Sequence, residues 1–155
     1  MGPGANRGGA VTLPAELDGL VSAYRAAVLA ADADALMGLY PDVERMFDAW
    51  DRWEYLGLGQ WRACVEEWFA GLDPDRVEAS SEDVRGDVSG PTAWLAASVR
   101  YAALAPSGEV VRSMHNRLTW VLRRTPDGWR VAHEHTSAPV SGPDGRAILS
   151  RPAAP

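Results

Sequence analysis

Tyr24, Asp48 and Glu134 are the side chains whose types and surroundings suit proton transfer. A carboxylate in a partly apolar setting is a general base or acid, and a phenolic hydroxyl can donate to an oxyanion that develops opposite it. Tyr24 lies on an apolar helical stripe, and Asp48 closes a short apolar segment, VERMFDAW. Glu134 sits in the stretch WRVAHEHTSAP, Trp129 to Pro139. Just past Asp48, Trp50 and Trp53 stand where a pocket mouth is expected and could stack on a flat or polycyclic ligand. Each of these residues also has a plainer reading. Tyr24 would be a core tyrosine satisfied by a neighbour, Asp48 a solvated carboxylate, and the tryptophans a cluster with Trp61 and Trp68 bracing a helix.

The triplet His133, Glu134, His135 with His115 invites a metal reading. Strand parity puts His115 on the opposite face from the other two, so no metal and no cofactor are expected. Cys64 is the single cysteine; on the apolar side of a helix it reads as filler, not as a nucleophile.

The elements that must position these residues follow from periodicity. Leu17, Leu20, Val21, Tyr24 and Val28 recur at helical spacing after Pro14, predicting a first helix with Tyr24 inward. A short helix over 34–39 is capped by Asp32 or Asp34 and stopped near Pro41. A strand over 43–50 precedes a third helix between Gly57 and Gly71 that carries Trp61, Cys64, Val65, Trp68 and Phe69 on one side. The period then changes to two, predicting strands over 77–84, 92–104, 110–124 and 129–138, the last two joined across TPDG. Three helices followed by long antiparallel strands is an α+β pattern in which a curved sheet wraps the helices.

Of the 155 residues, 21 are acidic and 15 basic, giving a net charge of -6 without a basic stripe, so nucleic acid is not a partner. There is no run of 18 apolar residues and no apolar secretory leader in MGPGANRGGAVTLP, which predicts no membrane association and a cytoplasmic protein. The Gly- and Pro-rich composition of residues 1–11 and 141–155 predicts flexible tails around one domain over 12–140.

Tyr24 and Asp48, with Tyr40 and Gly57 in step and the HEHTSAP ending, resemble the SnoaL-like and ketosteroid isomerase-like branch of the NTF2-like superfamily. The resemblance spans about residues 12 to 139. It implies a cone in which three helices pack on a curved sheet and enclose a pocket for a hydrophobic small molecule. By resemblance, Asp48 is the base and Tyr24 the oxyanion donor. The implied function is a cofactor-free isomerase, cyclase or dehydratase acting on a polyketide-like or other natural product. The alternatives are a non-catalytic binding or oligomerisation domain, and an epoxide hydrolase in which Asp48 and Glu134 divide the acid and base roles. In ketosteroid isomerase the oxyanion hole pairs a tyrosine with a protonated aspartic acid. Thr119 falls at that acid's place, a weaker donor that argues against steroid isomerisation itself.

Strict alternation leaves one choice for the last strand: either Glu134 and Thr136, or Trp129, Val131, His133 and His135, face the pocket. Hydrophobicity favours the second set and the resemblance favours the first. Following the resemblance, His115, Arg117, Thr119 and Thr136 bind substrate, with Arg117 beside Glu134. The opposite face, bearing Trp129 and Val131, then builds a homodimer.

Overall fold

A computed structural model describes residues 12–152. The expectation of a flexible N-terminal tail over 1–11 lies outside those residues. A 3-10 turn, Ala15–Leu17, leads into α1, Asp18–Ala30, whose Leu20, Tyr24, Ala27 and Val28 are buried in one stripe. Ala31, at φ 50°, ends the helix in the left-handed conformation. The short α2, Ala33–Met37, is capped by Asp32, whose carboxylate accepts from the Ala35 N–H at 2.9 Å.

Strand β1, Arg45–Phe47, is shorter than the sequence predicts, and it pairs with a two-residue β2, Tyr55–Leu56, that the pattern did not reveal. Helix α3, Gly57–Ala70, follows and buries Trp61, Val65 and Phe69. Four long strands complete the chain: β3, Arg76–Ser89; β4, Thr92–Leu104; β5, Val110–Thr125; β6, Gly128–Ser137. They form one six-stranded sheet in the order β2-β1-β6-β5-β4-β3, antiparallel except where β1 runs parallel to β6. Trp120, 1% exposed, is the largest fully buried side chain and meets the Tyr24 ring edge-on at 5.3 Å. Such an aromatic pair adds about 1 kcal/mol beyond the area it buries.

A β-bulge decides how the site is built. Opposite Val121 stands His133, but opposite the next residue, Leu122, stands Val131, so Ala132 is an extra residue on β6. One inserted residue reverses the facing of everything beyond it. Trp129 and Val131 therefore point into the core, and so do Glu134 and Thr136. The choice between two faces of the last strand was a false one, because both buried sets belong to the inner face.

The outer face carries Trp94, 43% exposed, directly opposite Val121, also 43% exposed. Within the segment 141–155, for which composition predicts a flexible tail, the described residues make contacts with the domain and with Val140. Val140 bridges Ala147, the His115 N–H donates to the Leu149 carbonyl at 2.8 Å, and Arg151 reaches Glu82 at 3.2 Å. Where β6 has ended, this segment gives the His115 N–H of β5 a partner.

Candidate active site

A cavity of about 910 Å³ opens between the helices and the inner sheet face. Asp48 lies on its wall just beyond β1; its Oδ1 accepts from Thr136 Oγ1 at 2.6 Å, and that hydroxyl oxygen accepts from the Ala49 N–H at 2.9 Å. Burial raises the Asp48 carboxyl above its ordinary range, with the charge of Asp51 adding to the rise and hydrogen bonds from Thr136, Ala49 and Trp50 opposing it. A carboxylate so placed is a stronger base than one in water.

Glu134, 3% exposed, faces the same cavity from β6. Tyr40 Oη and Trp120 Nε1 both donate to its Oε2, each at 2.6 Å. Burial is the dominant influence and lifts its pKa to about 7; the Asp48 charge raises it too, while the two donors hold it down. With Oε2 accepting from two donors, Oε1 is the oxygen left to take up a proton. Near neutral pH this side chain can give a proton to a ligand or take one.

Tyr24 Oη lies 2.8 Å from Tyr101 Oη, and both rings line the cavity. Burial pushes both phenols well above their ordinary range, so they stay protonated and available as donors. Asn116, 6% exposed, stands on the same wall. Cys64, half-buried and packed against the core, also lines the cavity; burial, with the charges of Asp48, Glu67 and Asp51, raises its thiol pKa.

The structure brings together Tyr24, Asp48, Trp50, Glu134 and Thr136. His115, Arg117, Thr119 and Trp53 are not on the cavity wall. On β5 the buried residues are Asn116, Leu118, Trp120 and Leu122, so the alternate set with His115, Arg117 and Thr119 lies on the outer face. Arg117 donates to Ser137 Oγ at 3.2 Å, and the residue opposite Glu134 is Trp120. Trp53 is 90% exposed. His133 and His135 both pack against the outer-face Phe47, with ring centroids 5.3 and 5.4 Å away. All three histidines thus share the outer face, a correction to the parity argument. His135 pairs with Thr119, four residues from His115 and so about 13 Å along the strand. Among the described residues no group of three potential metal ligands converges.

Tyr40, Tyr101, Asn116 and Trp120 were not foreseen as site residues. Only Tyr40 had drawn notice, as a landmark of the pattern. The burial of β5 on Asn116 and Trp120 was readable in the alternation, but the facing chosen for Glu134 pulled the assignment the other way.

Three helices on a curved six-stranded sheet around a deep pocket define an NTF2-like cone. A NTF2-like protein of unknown function from Pseudomonas putida KT2440 superposes with a TM-score of 0.77 at 22% identity, over 89% of this chain and 94% of its own. A proposed dehydratase of the NTF2-like family from Streptomyces avermitilis gives 0.66 at 23% identity, over 81% and 96%. A proposed calcium/calmodulin-dependent protein kinase II association domain from Xanthomonas campestris gives 0.68 at 16% identity, over 83% and 92%. No curated protein matches the chain. The SnoaL-like domain matches residues 18–141, and the chain belongs to that family. Among the described residues no helix is long and apolar enough to cross a membrane.

Proposed function

We propose that this protein is a cofactor-free acid–base enzyme that isomerises, dehydrates or cyclises an apolar small molecule bound in the cavity. The observation that carries the reading is a pair of carboxyl groups, Asp48 and Glu134, held in different hydrogen-bonded settings on one cavity wall. Burial raises both carboxyls, and Glu134, near 7, can hold a proton at neutral pH and act as the acid while Asp48 acts as the base. Asp48 takes a proton from the carbon beside a substrate carbonyl, and the electron pair moves to the carbonyl oxygen. The Tyr24 and Tyr101 hydroxyls supply the donor for that oxygen. In a dehydration the pair then returns, forms the carbon–carbon double bond and expels a β-hydroxyl, which leaves as water with the Glu134 proton. In an isomerisation the proton returns to another carbon.

The dehydratase name of one structural neighbour supports this class of reaction. The test is to identify any small molecule that co-purifies with the protein by native mass spectrometry and denaturing extraction, then to follow its conversion by wild type and Asp48→Asn. Loss of conversion with retained binding supports the reading. Conversion unchanged in the variant removes Asp48 as base, and a binding protein without turnover would be a carrier or assembly domain. We also propose a homodimer through the outer sheet face. Trp129 and Val131 are buried and cannot build that interface; exposed Trp94 beside Val121 is the apolar pair available to it. Light scattering that gives a monomer at micromolar concentration counts against it.

A further inference from the structure

Six aromatic rings line the cavity: Tyr24, Trp50, Tyr55, Trp61, Trp68 and Tyr101. Four carboxyl groups share that lining, Asp48 and Glu134 inside and the exposed Asp51 and Glu67 at the mouth, against two guanidinium groups, Arg52 and Arg112, which are exposed as well, so the excess of carboxyls lies inside. Neither arginine forms an ion pair among the described residues. Arg52 instead stands over the Tyr55 ring, 5.7 Å from its centroid. This wall therefore already accommodates a cation on an aromatic face, the arrangement that attracts ammonium and guanidinium groups.

The balance of charge points the same way. The charged neighbours that act most strongly on Asp48, Cys64 and Glu134 are carboxylates: Asp51 on Asp48; Asp48, Glu67 and Asp51 on Cys64; Asp48 on Glu134. An anionic ligand would enter against that field. A neutral one would gain nothing from the mouth carboxylates.

We propose that the ligand of this cavity is a cationic amphiphile, an apolar ring system or chain bearing a protonated amine, with its body on the aromatic wall and its ammonium group held at the mouth by Asp51 and Glu67. This deepens the proposed function by naming a substrate class, and it rests on the reading that this cavity is the substrate site. The apolar portion then reaches Asp48 and Glu134, while the amine, at the other end, takes no part in the proton transfers.

The test uses three probes with one ring and three charges: 1-naphthylmethylamine, 1-naphthalenemethanol and 1-naphthoate. Binding is read at pH 7 by quenching of tryptophan fluorescence, since Trp50, Trp61 and Trp68 line the cavity. The expected order is amine, alcohol, acid, with the amine about tenfold tighter than the alcohol and its advantage reduced by salt. In the double variant Asp51→Asn, Glu67→Gln the amine preference falls to about threefold or less, while the alcohol affinity, which also reports intact folding, is unchanged. Naphthoate binding best, alcohol matching amine, no probe binding, or the variant weakening all three alike would each overturn the proposal. Its failure is separable from failure of the catalytic reading. Asp48→Asn with undiminished turnover removes the catalytic reading and leaves the amine preference standing, whereas a lost preference with Asp48-dependent turnover removes only the substrate class.

Discussion

Replacing Glu134 by glutamine should make the protein more resistant to unfolding at alkaline pH and leave it nearly unchanged in acid. The carboxyl is 3% exposed, and burial is the chief cause that raises its pKa from 4.5 to about 7. A raised carboxyl pKa means that the folded state favours the protonated form. The stabilisation is complete below pH 4.5 and is lost as pH rises through 7. A shift of about 2.5 units corresponds to about 3 kcal/mol. Glutamine keeps an oxygen to accept from Tyr40 and Trp120 but cannot ionise, so it is spared that loss. Urea unfolding of both proteins from pH 4.5 to 8 isolates the effect, because groups that titrate alike in the two proteins cancel in the difference. With an m-value of about 2 kcal/mol/M, the variant's midpoint should gain on wild type by about 1.5 M across that range. A midpoint difference that does not vary with pH would refute the reasoning. It would mean that the two donors hold Glu134 ionised throughout.

Removing one donor should move the same group further. Trp120→Phe deletes a hydrogen bond that lowers the Glu134 pKa, so the midpoint seen by carboxyl-carbon NMR should rise above about 7, and a fall would contradict the assignment. Deleting Ala132 removes the bulge and turns Trp129 and Val131, or else Glu134 and Thr136, to the outer face; circular dichroism should show a protein that no longer folds cooperatively. Gly86→Ala places a Cβ 2.7 Å from the Trp94 carbonyl oxygen, a backbone atom that cannot yield cheaply, and urea unfolding should record a loss of about 1–3 kcal/mol.

The helices and long strands were legible because their periods are strong. Leu20, Tyr24 and Val28 mark α1, and 92–104 is recovered as β4 without change. Tyr24 could be turned inward from its helical stripe, whereas Asp48, just beyond the three-residue β1, was brought to the same pocket by the resemblance and not by any period. The last hairpin was misread for one reason. Ala132 carries none of the glycine or proline marking that betrays an irregular strand, so strict alternation was extended through a bulge. That single residue hid the fact that Trp129 and Glu134 share a face, and it carried Arg117, Thr119 and His115 into a pocket they do not line. Strand β2 escaped notice because two residues show no period. The contact of Tyr40 with Glu134 joins residues 94 apart, a pairing that only the closed sheet creates.

The central claim is that Asp48 removes a proton from carbon in this cavity, and hydrogen exchange tests it most directly without knowledge of the product. Polycyclic ketones that quench the cavity tryptophans would be incubated with the protein in D2O and followed by proton NMR at the carbon beside the carbonyl. Wild type should introduce deuterium there, and Asp48→Asn should do so about 10²- to 10⁴-fold more slowly while binding the ketone equally well. Exchange at the same rate in both proteins, or none with a ketone that binds, would contradict the account.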